Sequence, residues 1–104
     1  QGNMVFTAGQ LGVDPKTGQF AGNSIEEQTK QALKNMGSIL QAAGCTFDNV
    51  VKVTVFLADI AEFGAMNEIY ASFFSPPYPA RSAFQVGALP KNARVEIEAI
   101  AIRE

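Results

Sequence analysis

The segment from Arg94 to Ile102 constrains the fold most, because it reads as a strand with apolar side chains on both faces. Successive side chains of a strand point to opposite sides of a sheet. Two groups therefore face apart: Val95, Ile97, Ala99 and Ala101 on one side, and Glu96, Glu98, Ile100 and Ile102 on the other. A bare apolar face is a liability in a water-soluble monomer. We therefore expect helices on one face of this sheet and another copy of the chain on the opposite face.

The first helix is predicted by its capping signals. Ser24 and Glu27 form a capping box, and apolar residues recur at helical spacing from Ile25 to Ala43. Gly44 then provides a C-terminal cap, because glycine readily adopts the left-handed conformation that ends many helices. The sequence therefore predicts one long amphipathic helix.

A second helix is predicted from the same kind of pattern. Asp59 and Glu62 repeat the capping box with aspartate as the cap. An apolar stripe follows, formed by Phe63, Met66, Tyr70, Phe73 and Phe74. The proline-rich segment 75–79 ends the helix, since proline cannot continue it.

Four strands complete the pattern, at Met4–Ala8, Val50–Leu57, Ala80–Gly87 and Arg94–Ile102. Between the first strand and the first helix, Asp14–Gly18 has the residues of a bulged hairpin loop. The element order predicts an α+β fold with a single sheet and two helices packed on one face. At 104 residues the chain is short for a second domain, so we expect one domain spanning 1–104.

Composition excludes several classes of function. The chain has no histidine, which removes Ser-His-Asp catalysis and the usual zinc ligand, so no metal site is predicted. Its net charge of −2 provides no broad positive field for nucleic acid. The lone cysteine, Cys45, is interpreted as an inert buried thiol. No apolar run is long enough to span a bilayer and no signal peptide is visible, so we expect a soluble intracellular protein.

Arginine and glutamate are the candidates for chemistry. Arg81 opens a strand, where its planar fork could grip a carboxylate, although a surface arginine paired with an acid is an alternative. Glu96 and Glu98 project the same way from an apolar strand. Because burying an unpaired charge is costly, their carboxylates are expected either to form salt bridges or to have a catalytic role, and both explanations are open. Lys52 is the only lysine placed to form a Schiff base, and no flanking residue favours that role. Gly9 and Gly12 lack phosphate-loop spacing, which leaves their backbone amides as possible anion donors.

Several segments together resemble the RidA branch of the YjgF family, the enamine/imine deaminases. The most specific is the stretch from Arg81 to Ala101. The matching segments are Pro79–Val86, Leu89–Lys91 and Val95–Ala101, supported by Thr7–Gln10, Gln31–Met36, Val53–Asp59 and Asn67–Tyr70. The resemblance covers essentially the whole chain. It implies a chorismate-mutase-like (YjgF-like) fold and a homotrimer with ligand clefts between subunits.

The resemblance also implies an activity and a set of site residues. The activity is hydrolysis of 2-aminoacrylate, 2-aminocrotonate or their imines to 2-keto acids and ammonia, without a cofactor. By this resemblance Arg81 holds the substrate carboxylate, Glu96 positions or activates water, and Asn67 lines the cleft. The backbones of Gly9 and Ala83 touch the ligand. Many bacterial relatives have cysteine at the position of Ala83, so its role here would be a backbone or steric one.

Two other functions remain open. Relatives with this trimer have been described as ribonucleases and translation inhibitors, which the acidic balance and the absence of histidine disfavour. A small-metabolite-binding regulatory trimer would use the same carboxylate cleft. The ligand in either small-molecule function is a 2-imino or 2-keto acid. The resemblance places the protein in the cytoplasm, with the mitochondrion as an alternative.

Overall fold

The computed structural model describes residues 2–104 and contains a five-stranded sheet with two α-helices on one of its faces. The elements are β1 (Met4–Phe6), β2 (Gln10–Leu11), α1 (Ile25–Ala42), β3 (Val50–Leu57), α2 (Phe63–Ala71), β4 (Ala80–Gln85) and β5 (Val95–Ile102). The strand order is β1-β5-β3-β4, and β2 also pairs with β5. Only β3 and β4 are parallel. Helix α2 connects them, as a parallel crossover requires.

The core lies between the sheet and the helices. Alternate residues of β3 and β5 point into it, so Val53, Val55 and Ile97 have no exposed surface. Leu33 and Met36 of α1 pack against them and are equally buried. This arrangement confirms the predicted α+β class with both helices on one face of the sheet.

Both ends of α1 are capped as predicted. The Glu27 backbone N–H donates to Ser24 Oγ at 3.0 Å, and the Ser24 N–H donates back to Glu27 Oε1 at 3.3 Å. At the other end Gly44 has a φ of +82°, and the Cys45 N–H donates to the Leu40 carbonyl at 2.8 Å. This is the Schellman arrangement. It leaves the Cys45 side chain buried, as predicted.

The hairpin loop at Asp14–Gly18 is also confirmed. Gly18 has a φ of +74°, and its N–H donates to the Asp14 carbonyl at 2.8 Å. Val13 and Phe20 form a β-bridge at its base.

The first predicted strand is divided in two. β1 ends at Phe6, and β2 begins only at Gln10. Between them the Ala99 N–H donates to Thr7 Oγ1 at 2.9 Å instead of to a backbone carbonyl. A side-chain acceptor thus replaces one bond of the ladder, and the chain leaves the sheet before returning to it.

The predicted capping box of the second helix is wrong. Asp59 caps a 3₁₀ turn at Ile60–Glu62, accepting the Ala61 N–H at 2.9 Å. The Glu62 carboxylate accepts from Arg94 Nη1 at 2.8 Å instead of returning to the Asp59 backbone. The α-helix therefore begins at Phe63, and it ends at Ala71, before the last two phenylalanines of the predicted stripe.

The remaining differences are at strand ends. β4 stops at Gln85 instead of Gly87, and β5 starts at Val95 instead of Arg94. In the intervening loop Lys91 and Asn92 both have a φ of +57°, in the left-handed region, so the turn at Pro90–Asn92 is not a regular 3₁₀ helix.

The sheet face opposite the helices carries many apolar side chains. Register places Phe56 beside Glu96 in β5 and beside Phe84 in β4, with the two rings 5.4 Å apart. Phe84 is 45% exposed, and Phe6 in β1 is 62% exposed. We call this surface, formed by β1, β3, β4 and β5, the open face. Within residues 2–104, neither helix is long and apolar enough to cross a membrane.

Candidate active site

Arg81 lies on the edge strand β4 and points to the helix side of the sheet. Its register partner is Val53, a fully buried residue of the core face. A cavity of about 300 Å³ opens beside it. The cavity is lined by Asn67, Tyr70, Ala71, Tyr78, Pro79 and Arg81. The structure thus brings together Arg81 and Asn67, two of the residues that the family resemblance placed in a ligand cleft.

The Arg81 guanidinium contacts one amide and two aromatic rings. Nη1 donates a hydrogen bond to Asn67 Oδ1. The Cζ atom lies 4.8 Å from the ring centroid of Tyr70 and 5.2 Å from that of Phe63. Among residues 2–104 no carboxylate forms an ion pair with Arg81. The bond to Asn67 uses one of five guanidinium N–H groups, and others can grip a ligand carboxylate.

Tyr70 forms the inner wall of this cavity. It is 6% exposed, and its ring stacks on Phe74 with centroids 4.6 Å apart. Its hydroxyl is buried without a hydrogen-bond partner in the described chain. Burial raises the pKa of the Tyr70 hydroxyl above its ordinary value, and the nearby Arg81 charge offsets part of that rise. The side chain is therefore neutral near pH 7.

Ala83 follows Arg81 on the same face of β4. Its side chain packs against the core, and its register partner is Val55. The Val86 N–H donates to the Leu57 carbonyl at 2.9 Å, so Val86 is a residue whose backbone faces β3. Backbone groups alternate in direction along a strand, which turns the N–H of Ala83 toward the free edge of the sheet. A backbone contact from Ala83 to a ligand is consistent with this placement.

Glu96 lies on the open face and meets Gly9. An ideal Cβ built on Gly9 would lie 1.9 Å from Glu96 Oε2 and 2.8 Å from Glu96 Cδ. Gly9 follows the point where the chain leaves the sheet, and only a glycine leaves room for the carboxylate there. Sequence reasoning could assign Gly9 a backbone contact from the family resemblance, but it had no signal for this steric relationship.

The sheet separates the two halves of the candidate site within one chain. Arg81 shares a face with Val53, whereas Glu96 shares the opposite face with Phe56. The structure therefore forms one cluster from Arg81 and Asn67 and a second from Gly9 and Glu96. A site that uses both clusters needs two chains.

The other candidates from the sequence lie outside both clusters. Glu98 is an exposed residue of the open face, opposite Thr54. Lys52 Nζ donates to Ser82 Oγ at 2.7 Å on that same face. Within residues 2–104 no three histidine, cysteine, aspartate or glutamate side chains are grouped as a metal site would require. The sequence pattern predicts Phe63 and Tyr70 only as members of an apolar helix stripe, although their spacing with Asn67 places all three residues on one helix face.

Comparisons with known families, proteins and solved structures all point to one group of relatives. Residues 1–103 match the model of the Endoribonuclease L-PSP family. The human 2-iminobutanoate/2-iminopropanoate deaminase is 57% identical over 99 residues, covering 95% of this chain and 72% of the human protein. The crystal structure of RidA from the Antarctic bacterium Psychrobacter superposes with a TM-score of 0.94 at 43% identity, covering 98% of this chain and 82% of the other. Escherichia coli TdcF with bound serine superposes with a TM-score of 0.94 at 42% identity, covering 99% and 83%.

Proposed function

The chain belongs to the Endoribonuclease L-PSP family, which is the YjgF/RidA family, and we propose that it hydrolyses 2-imino acids and their enamine tautomers to 2-keto acids and ammonia. The curated relatives at 54–57% identity include 2-iminobutanoate/2-iminopropanoate deaminases from several mammals. Among the related structures, TdcF holds serine, a small molecule that also carries a carboxylate next to a nitrogen-bearing carbon.

The observation that supports this proposal most strongly is the placement of Arg81. Its guanidinium is held by Asn67 at the wall of a cavity and has no acidic partner in the described chain. A 2-imino acid has a carboxylate directly attached to the electrophilic C=N carbon. When the arginine fork grips that carboxylate, the position of the reacting carbon is defined as well.

The reaction needs only proton transfers and water. The enamine first takes a proton on C3 and loses one of its N–H protons, which gives the imine. Water then adds to the C=N carbon, forming a C–O bond while its proton passes to a base and the nitrogen gains a proton. The nitrogen of the resulting carbinolamine takes a further proton and leaves as ammonia when the C–N bond breaks, while the hydroxyl loses its proton, which yields the 2-keto acid.

Glu96 is the proposed base. A positioned carboxylate can take the proton from water and return a proton to the leaving nitrogen. The chain has no histidine to perform this transfer. Because Glu96 lies across the sheet from Arg81, we propose that a neighbouring copy of the chain supplies it. Gly9 and Ala83 would add backbone contacts to the ligand from the two sides.

A homotrimer would provide such clefts and would also cover the open face. The exposed rings of Phe6 and Phe84 belong to the surface that helices leave bare. Head-to-tail contacts between identical chains close into a ring when the rotation fits, and three copies make three equivalent clefts. Light scattering at micromolar concentration should give three times the mass of the chain, whereas a monomer mass would contradict the trimer.

An assay coupled to a dehydratase tests the activity. A serine or threonine dehydratase releases 2-aminoacrylate or 2-aminocrotonate, and 2-keto acid formation is followed with and without this protein. We expect faster keto-acid formation that scales with protein concentration. Binding of 2-oxobutanoate without acceleration would favour the metabolite-binding alternative, and cleavage of RNA by purified protein would favour the ribonuclease alternative. The cytoplasmic location, with the mitochondrion as its alternative, stays a family-based expectation that fractionation can test.

A further inference from the structure

We propose that one face of α2 forms a clamp that orients Arg81 for carboxylate binding, with Phe63 and Tyr70 as positioning residues whose rings both lie against its guanidinium. This inference rests on the proposed function and adds to it a positioning role for two aromatic rings, which they exert through Arg81. We refer to Phe63, Asn67 and Tyr70 together as the α2 clamp.

The three residues share one helix face because of their spacing. Positions 63, 67 and 70 are related as i, i+4 and i+7, which repeats along one side of an α-helix. Their contacts converge on a single group: both rings lie about 5 Å from Arg81 Cζ, and the Asn67 amide accepts from Nη1. Packing of the apolar core alone would not require the side chain of Arg81 to lie against this face of α2.

The rings and the amide restrict the guanidinium of Arg81 in different ways. A single hydrogen bond to Asn67 leaves the guanidinium free to rotate about that bond. Cations attract the faces of aromatic rings, so two rings at different positions restrict the remaining freedom. The rings also use no N–H donor, which keeps the rest of the fork available for a carboxylate.

Aromatic residues of the core hold the ring of Tyr70 in place. Tyr70 is nearly fully buried and stacks on Phe74 with an interplanar angle of 30°. Phe74 in turn meets the edge of Phe47 at 5.2 Å. Because Tyr70 cannot move without disturbing this stack, the position of its ring, and through it that of Arg81, is determined by the core.

Ring-removing substitutions test the clamp. Phe63→Leu and Tyr70→Leu each remove one ring, and Tyr70→Phe keeps the ring without the hydroxyl. Phe73→Leu is the matched control, since Phe73 meets Phe47 at 5.7 Å and no contact joins it to Arg81. Thermal unfolding establishes that each variant is folded. Two quantities are then measured: the dissociation constant for 2-oxobutanoate and the NMR resonance of the Arg81 Nε–H, assigned by its disappearance in Arg81→Lys.

The clamp predicts a defined pattern. Each leucine variant at 63 and 70 weakens 2-oxobutanoate binding by about three- to tenfold, within the range for cation–π contacts. Each also moves the Arg81 resonance to lower field, because protons above an aromatic ring are shifted to high field. Tyr70→Phe recovers both values, and Phe73→Leu moves neither.

The outcomes separate the clamp from the proposed function. If folded Phe63→Leu and Tyr70→Leu proteins keep the parental Arg81 resonance and affinity, the clamp is overturned and the deaminase proposal stands. If the parent neither binds 2-oxobutanoate nor accelerates imine hydrolysis, the proposed function fails. The resonance of Arg81 still decides in that case whether the two rings hold its guanidinium.

Discussion

The carboxylate of Glu96 fills the space that a side chain at position 9 would need. An ideal Cβ on Gly9 would stand 1.9 Å from Glu96 Oε2, and the three heavy atoms nearest to it all belong to Glu96. The absence of a side chain at Gly9 therefore leaves the space that this carboxylate occupies. The proposed base and the glycine form one unit on the open face, although the chain separates them by more than eighty residues.

Gly9→Ala should therefore impair catalysis more than folding. The new methyl group displaces the end of a flexible side chain, so the protein can still fold. We expect turnover to fall by about 10²-fold, the order associated with misplacing a reacting group by about 1 Å. The dehydratase-coupled assay and thermal unfolding measure the two effects.

A glycine elsewhere in the chain provides the control. A Cβ on Gly64 in α2 would meet no atom within 4 Å, so Gly64→Ala should keep parental turnover and stabilise the helix by about 0.5–1 kcal/mol. Parental turnover in Gly9→Ala would show that the position of Glu96 is unimportant.

Glu96→Gln should slow turnover by roughly 10²- to 10⁴-fold, the range for losing a general acid-base group. Glutamine keeps the shape and a hydrogen-bonding oxygen but cannot take the proton, so binding of 2-oxobutanoate should persist. Glu98→Gln makes the same chemical change two residues away on the same face, where the side chain is exposed. If Glu98→Gln proves the slower enzyme, or if Glu96→Gln turns over normally, Glu96 is not the base.

Arg81→Lys should lose most deaminase activity while the fold is kept. Lysine retains the positive charge but lacks the planar fork that binds both carboxylate oxygens, so substrate orientation suffers more than attraction. Circular dichroism should remain parental as the coupled assay loses its signal. Activity within about twofold of the parent would mean that a simple cation suffices.

Two inactive variants should restore activity when they are mixed. If each cleft takes Arg81 from one chain and Glu96 from another, co-refolded Arg81→Ala and Glu96→Gln chains form some clefts with both native residues. Random 1:1 mixing gives about one quarter of such clefts in a ring of head-to-tail contacts. We expect about that fraction of parental activity.

The matched control for this mixture combines Arg81→Ala with Asn67→Ala. Arg81 and Asn67 come from the same side of the sheet and contact each other, so every mixed cleft would still carry one of the two changes. This mixture should remain as inactive as its components. Equal recovery in both mixtures, or none in the first, would contradict the two-chain cleft.

Tyr70 should lose its proton only at unusually high pH. Burial raises the pKa of its hydroxyl, and the Arg81 charge reduces that rise only in part. The chain has two tyrosines and no tryptophan, so Tyr78→Phe leaves one phenol for an absorbance titration. Phenolate should appear above pH ~10, the value for an unperturbed tyrosine.

The raised pKa of Tyr70 also predicts how the stability of the protein changes with pH. The folded pKa lies above the unfolded one, so the contribution of Tyr70 is complete below about pH 10 and is lost as the pH rises through the folded pKa. The free energy of unfolding should fall in that alkaline range, and less so in Tyr70→Phe. An identical alkaline decline in both proteins would contradict the raised pKa.

Several local structures of this protein are determined by residues that lie close together in the sequence. The capping box at Ser24, the Schellman end at Gly44 and the hairpin at Asp14–Gly18 are local arrangements, so their residue types predict them directly. Strand alternation predicted the two groups of side chains in the last strand, and the structure shows that the group of Val95, Ile97, Ala99 and Ala101 enters the core. The family resemblance identified Arg81, Asn67, Gly9, Ala83 and Glu96 as site candidates.

Only the tertiary structure decided how these candidates are grouped. The register between β3, β4 and β5 places Arg81 and Glu96 on opposite faces, and no local signal specifies the pairing of strands so far apart in the chain. The same is true of Glu62, which suits a helix cap by sequence but pairs with Arg94 once β5 is in place. Local propensity selects among conformations of a few residues. Long-range packing decides which distant side chains share a space, and the candidate site is made of such side chains.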